Sequence, residues 1–263
     1  MHARVASELC DRLAAINRRF EVAVDLGSGG AFARAAREAG LMGEKIGALI
    51  ETDLTSVMLA GRSGSRAVMD PERLALAPES VDLIVAPLSL QQVNDLPGAF
   101  IQMRRALKPD GAALAAMIGG ASLNEARTAL MEAELELTGG AAARVAPFAD
   151  VRDLGGLLQR AGLALPVTDV DRFTIRYDHP LKGVADLRAL GETFAGSGAV
   201  RPLRRDVLAR ACQLYQERFA DADGRVRASL EILWAIGWAP HESQQKPLKP
   251  GSAEVSLTQI IGR

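Results

Sequence analysis

The chain has 263 residues, is 48% hydrophobic and 24% charged, and carries a formal net charge of -1. That is enough apolar material for one large core, or a core with a cap. The near-neutral charge argues against nucleic acid as the main partner, since phosphate backbones select strongly basic faces. No apolar run reaches membrane-spanning length. The first residues lack the apolar stretch of a signal peptide, and Glu8 and Asp11 do not suit a transit peptide. Cys10 and Cys212 stand without metal-ligand spacing and read as reduced thiols. These features together predict a soluble, reducing compartment, and Arg far outnumbering Lys with abundant Ala suits a bacterial chain from a GC-rich genome, hence a cytoplasmic one.

Val5–Arg18 carries Val5, Leu9, Leu13 and Ile16 on one face, which predicts an amphipathic helix. Val22–Leu26 predicts a buried strand, Phe32–Ala39 a helix, Ile46–Glu51 a strand and Leu54–Leu59 a short helix. Strands follow at Arg66–Met69 and Val81–Ala86, the second wholly apolar apart from Asp82. A helix over Ala99–Leu107 is stopped by the turn Lys108-Pro109-Asp110-Gly111, ahead of a strand over Ala112–Ile118. Apolar strands alternating with helices predict a parallel sheet covered on both faces.

The second half departs from that rhythm. Helices are expected at Ser122–Leu137 and Val151–Ala161, the latter capped by Gly162, and an extended strand at Leu165–Tyr177. Pro180–Phe219 reads as helical, broken by Gly191, Gly196, Gly198 and Pro202. Ala228–Trp238 is a last long apolar strand, His241–Gly251 a polar loop, and Val255–Ile261 a candidate edge strand. The whole chain, 1–263, is expected to form one domain. Its block from about 180 to 223 is too long for a connector and reads as a helical insert. Ligands of open α/β sheets bind beyond the carboxyl ends of the strands, so the insert is expected over that end. A helical layer remote from the site is the alternative.

Val22–Ala31 reads V-A-V-D-L-G-S-G-G-A. A strand that opens into glycines before a helix lets a ligand lie against bare backbone. Phe32 stands where a dinucleotide fingerprint needs its third Gly. Asp25, Gly27 and Gly29 give D-x-G-x-G instead, which resembles the first motif of S-adenosylmethionine (SAM) methyltransferases. A plain strand-to-helix turn is the other reading. Asp53 after the second strand suits a ribose diol, with Glu51 as rival, and it equally suits the cap of the next helix. Asp70 suits an adenine amino group or a turn before Pro71. Ser89, Gln91 and Gln92 follow the fourth strand and face the reactive end, or else cap a helix. Ala86-Pro87-Leu88 lacks the amide and aromatic that base methyltransferases place here, which lowers the case for a DNA or RNA base. His241 beside Glu242 is a candidate base or metal ligand, or else a loop residue, and no complete metal set is visible.

Val24–Gly29, Ser89-Leu90 with Val93–Pro97, and Leu107–Gly111 resemble the class I SAM methyltransferases. Pro147-Phe148, Val151 and Asp153-Leu154, then Ile236–Trp238, His241–Gln244 and Gly251–Ala253, are similar to one branch, the respiratory complex I assembly factor 5 family with its alphaproteobacterial members. The resemblance spans almost the whole chain. It implies a Rossmann-like class I methyltransferase sheet, parallel with an antiparallel last strand, and SAM as cofactor held by Asp25, Gly27, Gly29, Asp53 and Asp70. It implies a protein substrate in complex I maturation. The family's mitochondrial member is described as hydroxylating an arginine of a complex I iron–sulfur subunit, so methyl transfer, hydroxylation and a non-catalytic assembly role all stay open. More distant kin methylate the carboxyl of malonyl-acyl carrier protein in biotin synthesis. The chain departs from the family at Gln91-Gln92, where His-Trp is usual, at Ala31, where Gly is common, and at Ser28, where Cys is common. Relatives carry a further N-terminal segment that helps close over the cofactor, so weaker binding and a truncated or mis-assigned start are the matching expectations.

Overall fold

The computed structural model describes residues 1–193 and 202–245. The first helix, α1 (His2–Ala14), buries Val5, Leu9 and Leu13 as its periodicity requires. It stops short of Arg18, whose guanidinium turns to the carbonyl and carboxylate of Asp110. Then come β1 (Phe20–Leu26), α2 (Ala31–Glu38), α3 (Leu41–Glu44), β2 (Ile46–Asp53), α4 (Ser56–Leu59) and β3 (Ser65–Val68). The fully buried β4 (Val81–Pro87) is followed by α5 (Leu96–Ala106) and β5 (Leu107–Ile118).

The Lys108–Gly111 turn lies inside β5 rather than before it. Pairing with β4 steps from Val81↔Leu107 to Leu83↔Ala112, so the tetrapeptide forms a bulge, with Asp110 at φ 62. Its amide donates to Ala239 O at 3.1 Å, which keeps the bulge inside the sheet.

Beyond β5 lie α6 (Asn124–Thr138), α7 (Val151–Arg160), β6 (Ala164–Tyr177), α8 (Pro180–Ala189), α9 (Arg205–Phe219) and β7 (Val226–Trp238). Gly191 at φ 76 follows α8. Gly196, Gly198 and the candidate strand Val255–Ile261 lie outside the described residues. So do Lys246–Gly251 of the predicted loop.

The seven strands form one sheet in the order β3-β2-β1-β4-β5-β7-β6. β1 to β5 are parallel, and β7 runs antiparallel to both β5 and β6. One face carries α1 and α2, where Val5, Leu9 and Phe32 pack with Leu83, Val85 and Leu114. The other carries α5 and α7, where Phe100, Met103 and Leu158 pack with Ile84, Ala113 and Leu233. A third cluster joins α6, α9 and the start of β7 through Ala133, Ala211 and Tyr215.

Two cation–π contacts hold α1 on the last strands. Arg4 lies 4.4 Å from the Phe173 ring centroid and Arg12 lies 4.6 Å from that of Trp234. Arg12 also donates to Asp169 at 3.2 Å, and the Trp234 indole donates to Asp171 at 2.9 Å. Among the described residues no helix is long and apolar enough to cross a membrane.

Candidate functional site

β1 ends against bare backbone. Gly27, Gly29 and Gly30 have φ of 71, 64 and 80, in the left-handed region that L side chains rarely occupy. A Cβ on Gly27 would stand 3.0 Å from the Ser89 Cβ, whereas one on Gly29 would meet nothing within 4 Å. The glycine turn therefore abuts the loop after β4 on one side and is open on the other.

That loop is set by Leu88, a buried residue at φ 57 whose amide donates to Ala116 O at 2.9 Å. A leucine in this conformation carries strain, which such loops commonly store at functional positions. The turn delivers Ser89 to the glycines. Its Oγ is buried and has no partner among the described residues.

Asp25 is 1% exposed, and its Oδ1 is likewise buried without a partner. Its Oδ2 accepts from the Ser28 hydroxyl. Ser28 Oγ in turn accepts the amides of Gly30 at 3.2 Å and Phe32 at 3.3 Å, fixing the entry to α2. Burial pushes the Asp25 carboxyl up to about 7. The neighbouring Glu51 pushes the same way, while the Ser28 hydrogen bond and Arg62 oppose it.

Glu51 and Asp53 are sorted by their partners. Glu51 is buried and paired with Arg62 at 3.3 Å and Arg37 at 3.9 Å. Arg62 lies across Gly30, with its Cζ 3.3 Å from where a Cβ would be. Asp53 ends β2 and is only half-buried, its Oδ1 accepting the Leu54 amide at 2.8 Å. It does not cap the next helix. Thr55 does so, accepting the Met58 amide at 3.4 Å, because α4 starts at Ser56 rather than Leu54. Asp70 lies beyond β3, exposed, and its Oδ1 accepts the Glu72 amide at 2.8 Å. The three acids thus stand at adjacent strand ends, β1, β2 and β3.

Gln91 donates through Nε2 to Leu88 O at 2.8 Å and to Glu192 at 2.9 Å. Leu90, Gln91, Val93, Met117 and Phe148 line an adjoining, mostly apolar cavity of about 170 Å³.

His241 belongs to the opposite end of the molecule. β7 is antiparallel, with Trp238 beside Ala112 near the start of β5, so the segment after Trp238 lies away from the carboxyl ends of the parallel strands. The exposed His241 ring contacts Ser243 Oγ at 2.7 Å, and its candidacy as a catalytic base ends there. Among the described residues no group of three or more His, Cys, Asp or Glu stands placed to hold a metal ion.

Sequence reasoning gave no role to Arg62 or Glu192, and it marked Ser28 only as a departure from the family's Cys. Ser28 carried a local signal, a hydroxyl just before a helix start. Arg62 and Glu192 reach the site only through tertiary folding.

A family model described as "Methyltransferase domain" matches residues 24–115. The Danio rerio protein named "Arginine-hydroxylase NDUFAF5, mitochondrial" is 38% identical over 265 residues, spanning 99% of this chain and 81% of that protein. The chain belongs to the NDUFAF5 family. This bears out the resemblance to the complex I assembly factor 5 family. A more distant relative, the malonyl-[acyl-carrier protein] O-methyltransferase of Methylovorus sp. (strain MP688), is 29% identical over 91% of this chain and 82% of that protein. The solved YcgJ protein of Bacillus subtilis has a TM-score of 0.59 at 15% identity, over 90% of this chain and 99% of that one, and shares the fold. This NDUFAF5-family chain therefore has a class I methyltransferase fold, in which an antiparallel β7 sits between β5 and β6.

Proposed function

We propose that this protein binds SAM above the ends of β1, β2 and β4 and modifies a side chain of a protein partner. The partner on this reading is an iron–sulfur subunit of respiratory complex I, and the modified residue is an arginine, the residue named for its relatives. The observation that carries the cofactor is a pair of buried polar atoms without partners, Asp25 Oδ1 and Ser89 Oγ, set beside the Gly27 turn. Buried polar atoms are normally satisfied, so two orphans at one cradle point to a missing ligand.

When bound, SAM supplies a methyl group on a positively charged sulfur. The chain's own residues provide binding, orientation and shielding. Gly27 and Gly29 admit close backbone approach. Asp53 accepts from a ribose diol and Asp70 from an adenine amino group. Leu54, 61% exposed, gives an apolar surface beside Asp53 for a ring. A cationic ligand beside Asp25 favours its ionised form, so uptake below pH 7 releases the proton held on that carboxyl. The loop after β4 and the insert keep water from the reacting end.

Methyl transfer forms a bond from the acceptor to the methyl carbon as the carbon–sulfur bond breaks, and the acceptor loses a proton. Hydroxylation is the second reading, favoured by 38% identity to a protein named an arginine hydroxylase. It would turn a C–H bond into C–OH with dioxygen as oxidant and a two-electron reductant as co-reactants, the second oxygen leaving as water. Mass spectrometry of the partner subunit from cells with and without this gene separates the two. A methyl group lost on deletion supports transfer, and an oxygen atom lost supports hydroxylation. An unchanged subunit refutes both. The setting proposed is a bacterial cytoplasm, whereas the relatives are named mitochondrial.

A further inference from the structure

Glu192 follows α8 and Gly191 on the insert, its amide anchored to Leu187 O at 2.9 Å. Its carboxylate reaches back to the loop after β4. One oxygen accepts Gln91 Nε2 at 2.9 Å and the other accepts Gln92 Nε2 at 3.4 Å. Three buried glutamates of this chain each hold an arginine: Glu51 has Arg62, Glu134 has Arg144, and Glu231 has Arg172, whereas Glu192 is half-buried. Among the described residues Glu192 has no Arg or Lys, only two neutral amides. The imidazole in its field is His2, which burial pushes below its ordinary value while Glu192 pulls it up.

Gln91 adds a second acceptor. Both of its donated bonds are used, and its Oε1 is buried without a partner. A carboxylate and an orphaned carbonyl oxygen therefore stand together, two residues from Ser89 and the glycine turn. Acceptors alone are satisfied by a ligand rich in N–H donors, and an unneutralised carboxylate by a positive one. A guanidinium is both, with its donors in a flat fork that suits a carboxylate. The cavity beside Gln91, walled by Leu90, Val93, Met117 and Phe148, suits an aliphatic stem.

We propose that Glu192 is the specificity-determining residue of the cleft. It selects a charged guanidinium on the acceptor, exchanging the Gln91 and Gln92 amides for guanidinium N–H donors. This rests on the reading that the cleft modifies an arginine side chain. No group transfer is assigned to Glu192.

The test uses the full chain, labelled with nitrogen-15, titrated with N-propylguanidine and its neutral counterpart N-propylurea. SAM affinity is measured on the same samples by calorimetry. The guanidine is expected to shift the Gln91 and Gln92 side-chain amide signals and to bind about tenfold more tightly than the urea, the range of a charge-assisted hydrogen bond. Glu192→Gln is expected to abolish that preference and leave SAM affinity unchanged. Wild-type protein that treats both probes alike, or a Glu192→Gln variant that still prefers the guanidine, overturns the proposal. If Glu192→Gln fails to fold, Gln91→Met is measured instead. It removes the orphaned oxygen and is expected to weaken the guanidine severalfold, and undiminished binding counts against the proposal. Wild-type preference for the guanidine without any SAM binding refutes the cofactor reading and keeps the assignment of Glu192.

Discussion

Asp25→Asn removes the charge whose burial dominates the cleft. In the folded protein burial raises this carboxyl from 3.8 to about 7. The folded state therefore holds a proton that the unfolded state releases, and wild-type stability falls as pH rises from about 4 to about 7. It is recovered as pH falls again. At about 1.4 kcal/mol per pH unit, the penalty at pH 8 is about 4 kcal/mol. Asparagine carries no charge, and its side-chain carbonyl still accepts from Ser28. In urea unfolding at pH 8 the variant is expected to exceed wild type by up to about 4 kcal/mol, with the difference closing near pH 4. SAM affinity moves the other way, rising with pH through about 7 in wild type and staying low and flat in the variant. A stability difference that is the same at pH 4 and pH 8, or a variant less stable than wild type at pH 8, refutes the reasoning.

Gly27→Ala forces a Cβ at φ 71 to within 3.0 Å of the Ser89 Cβ. Chemical denaturation is expected to show a loss of about 1–2 kcal/mol, and calorimetry a loss of SAM binding. Asp53→Ala gives up one contact to the Leu54 amide, so stability should stay within about 0.5 kcal/mol while SAM affinity falls about tenfold. Unchanged calorimetric affinity removes Asp53 from the site. Arg12→Ala loses the stack on Trp234 and the bond to Asp169, and a drop of about 1 kcal/mol with a red shift of tryptophan fluorescence is expected.

The strands were legible because burial writes itself into composition. Val81–Ala86 is apolar along its length apart from Asp82, and β4 is buried on both faces. The glycine turn was legible because few sequences put an acid two residues before G-x-G at a strand end. The Lys108–Gly111 bulge was not, since a Pro–Gly tetrapeptide reads as a strand break until Leu107 is seen paired with Val81. Asp53 and Thr55 both satisfy the local rule for a helix cap, and the choice fell to where α4 begins. His241 looked chemical beside Glu242, but its place is decided by the direction of β7, which no local pattern states. Glu192 meets Gln91 across 101 positions of chain, so its role comes from topology alone.

The clasp of α1 on the last strands has a consequence for synthesis. Arg12 leaves the ribosome well ahead of its partners, since Asp169 and Trp234 are 157 and more positions behind it. Contacts of such long separation form late and slowly. A nascent chain can settle α1 against α2 and β4, yet its two arginines wait with bare guanidinium faces until β6 and β7 emerge. A helix made well ahead of the last strands is thus among the last to be secured, and chains released before β6 and β7 leave its apolar face open to chaperones and proteases.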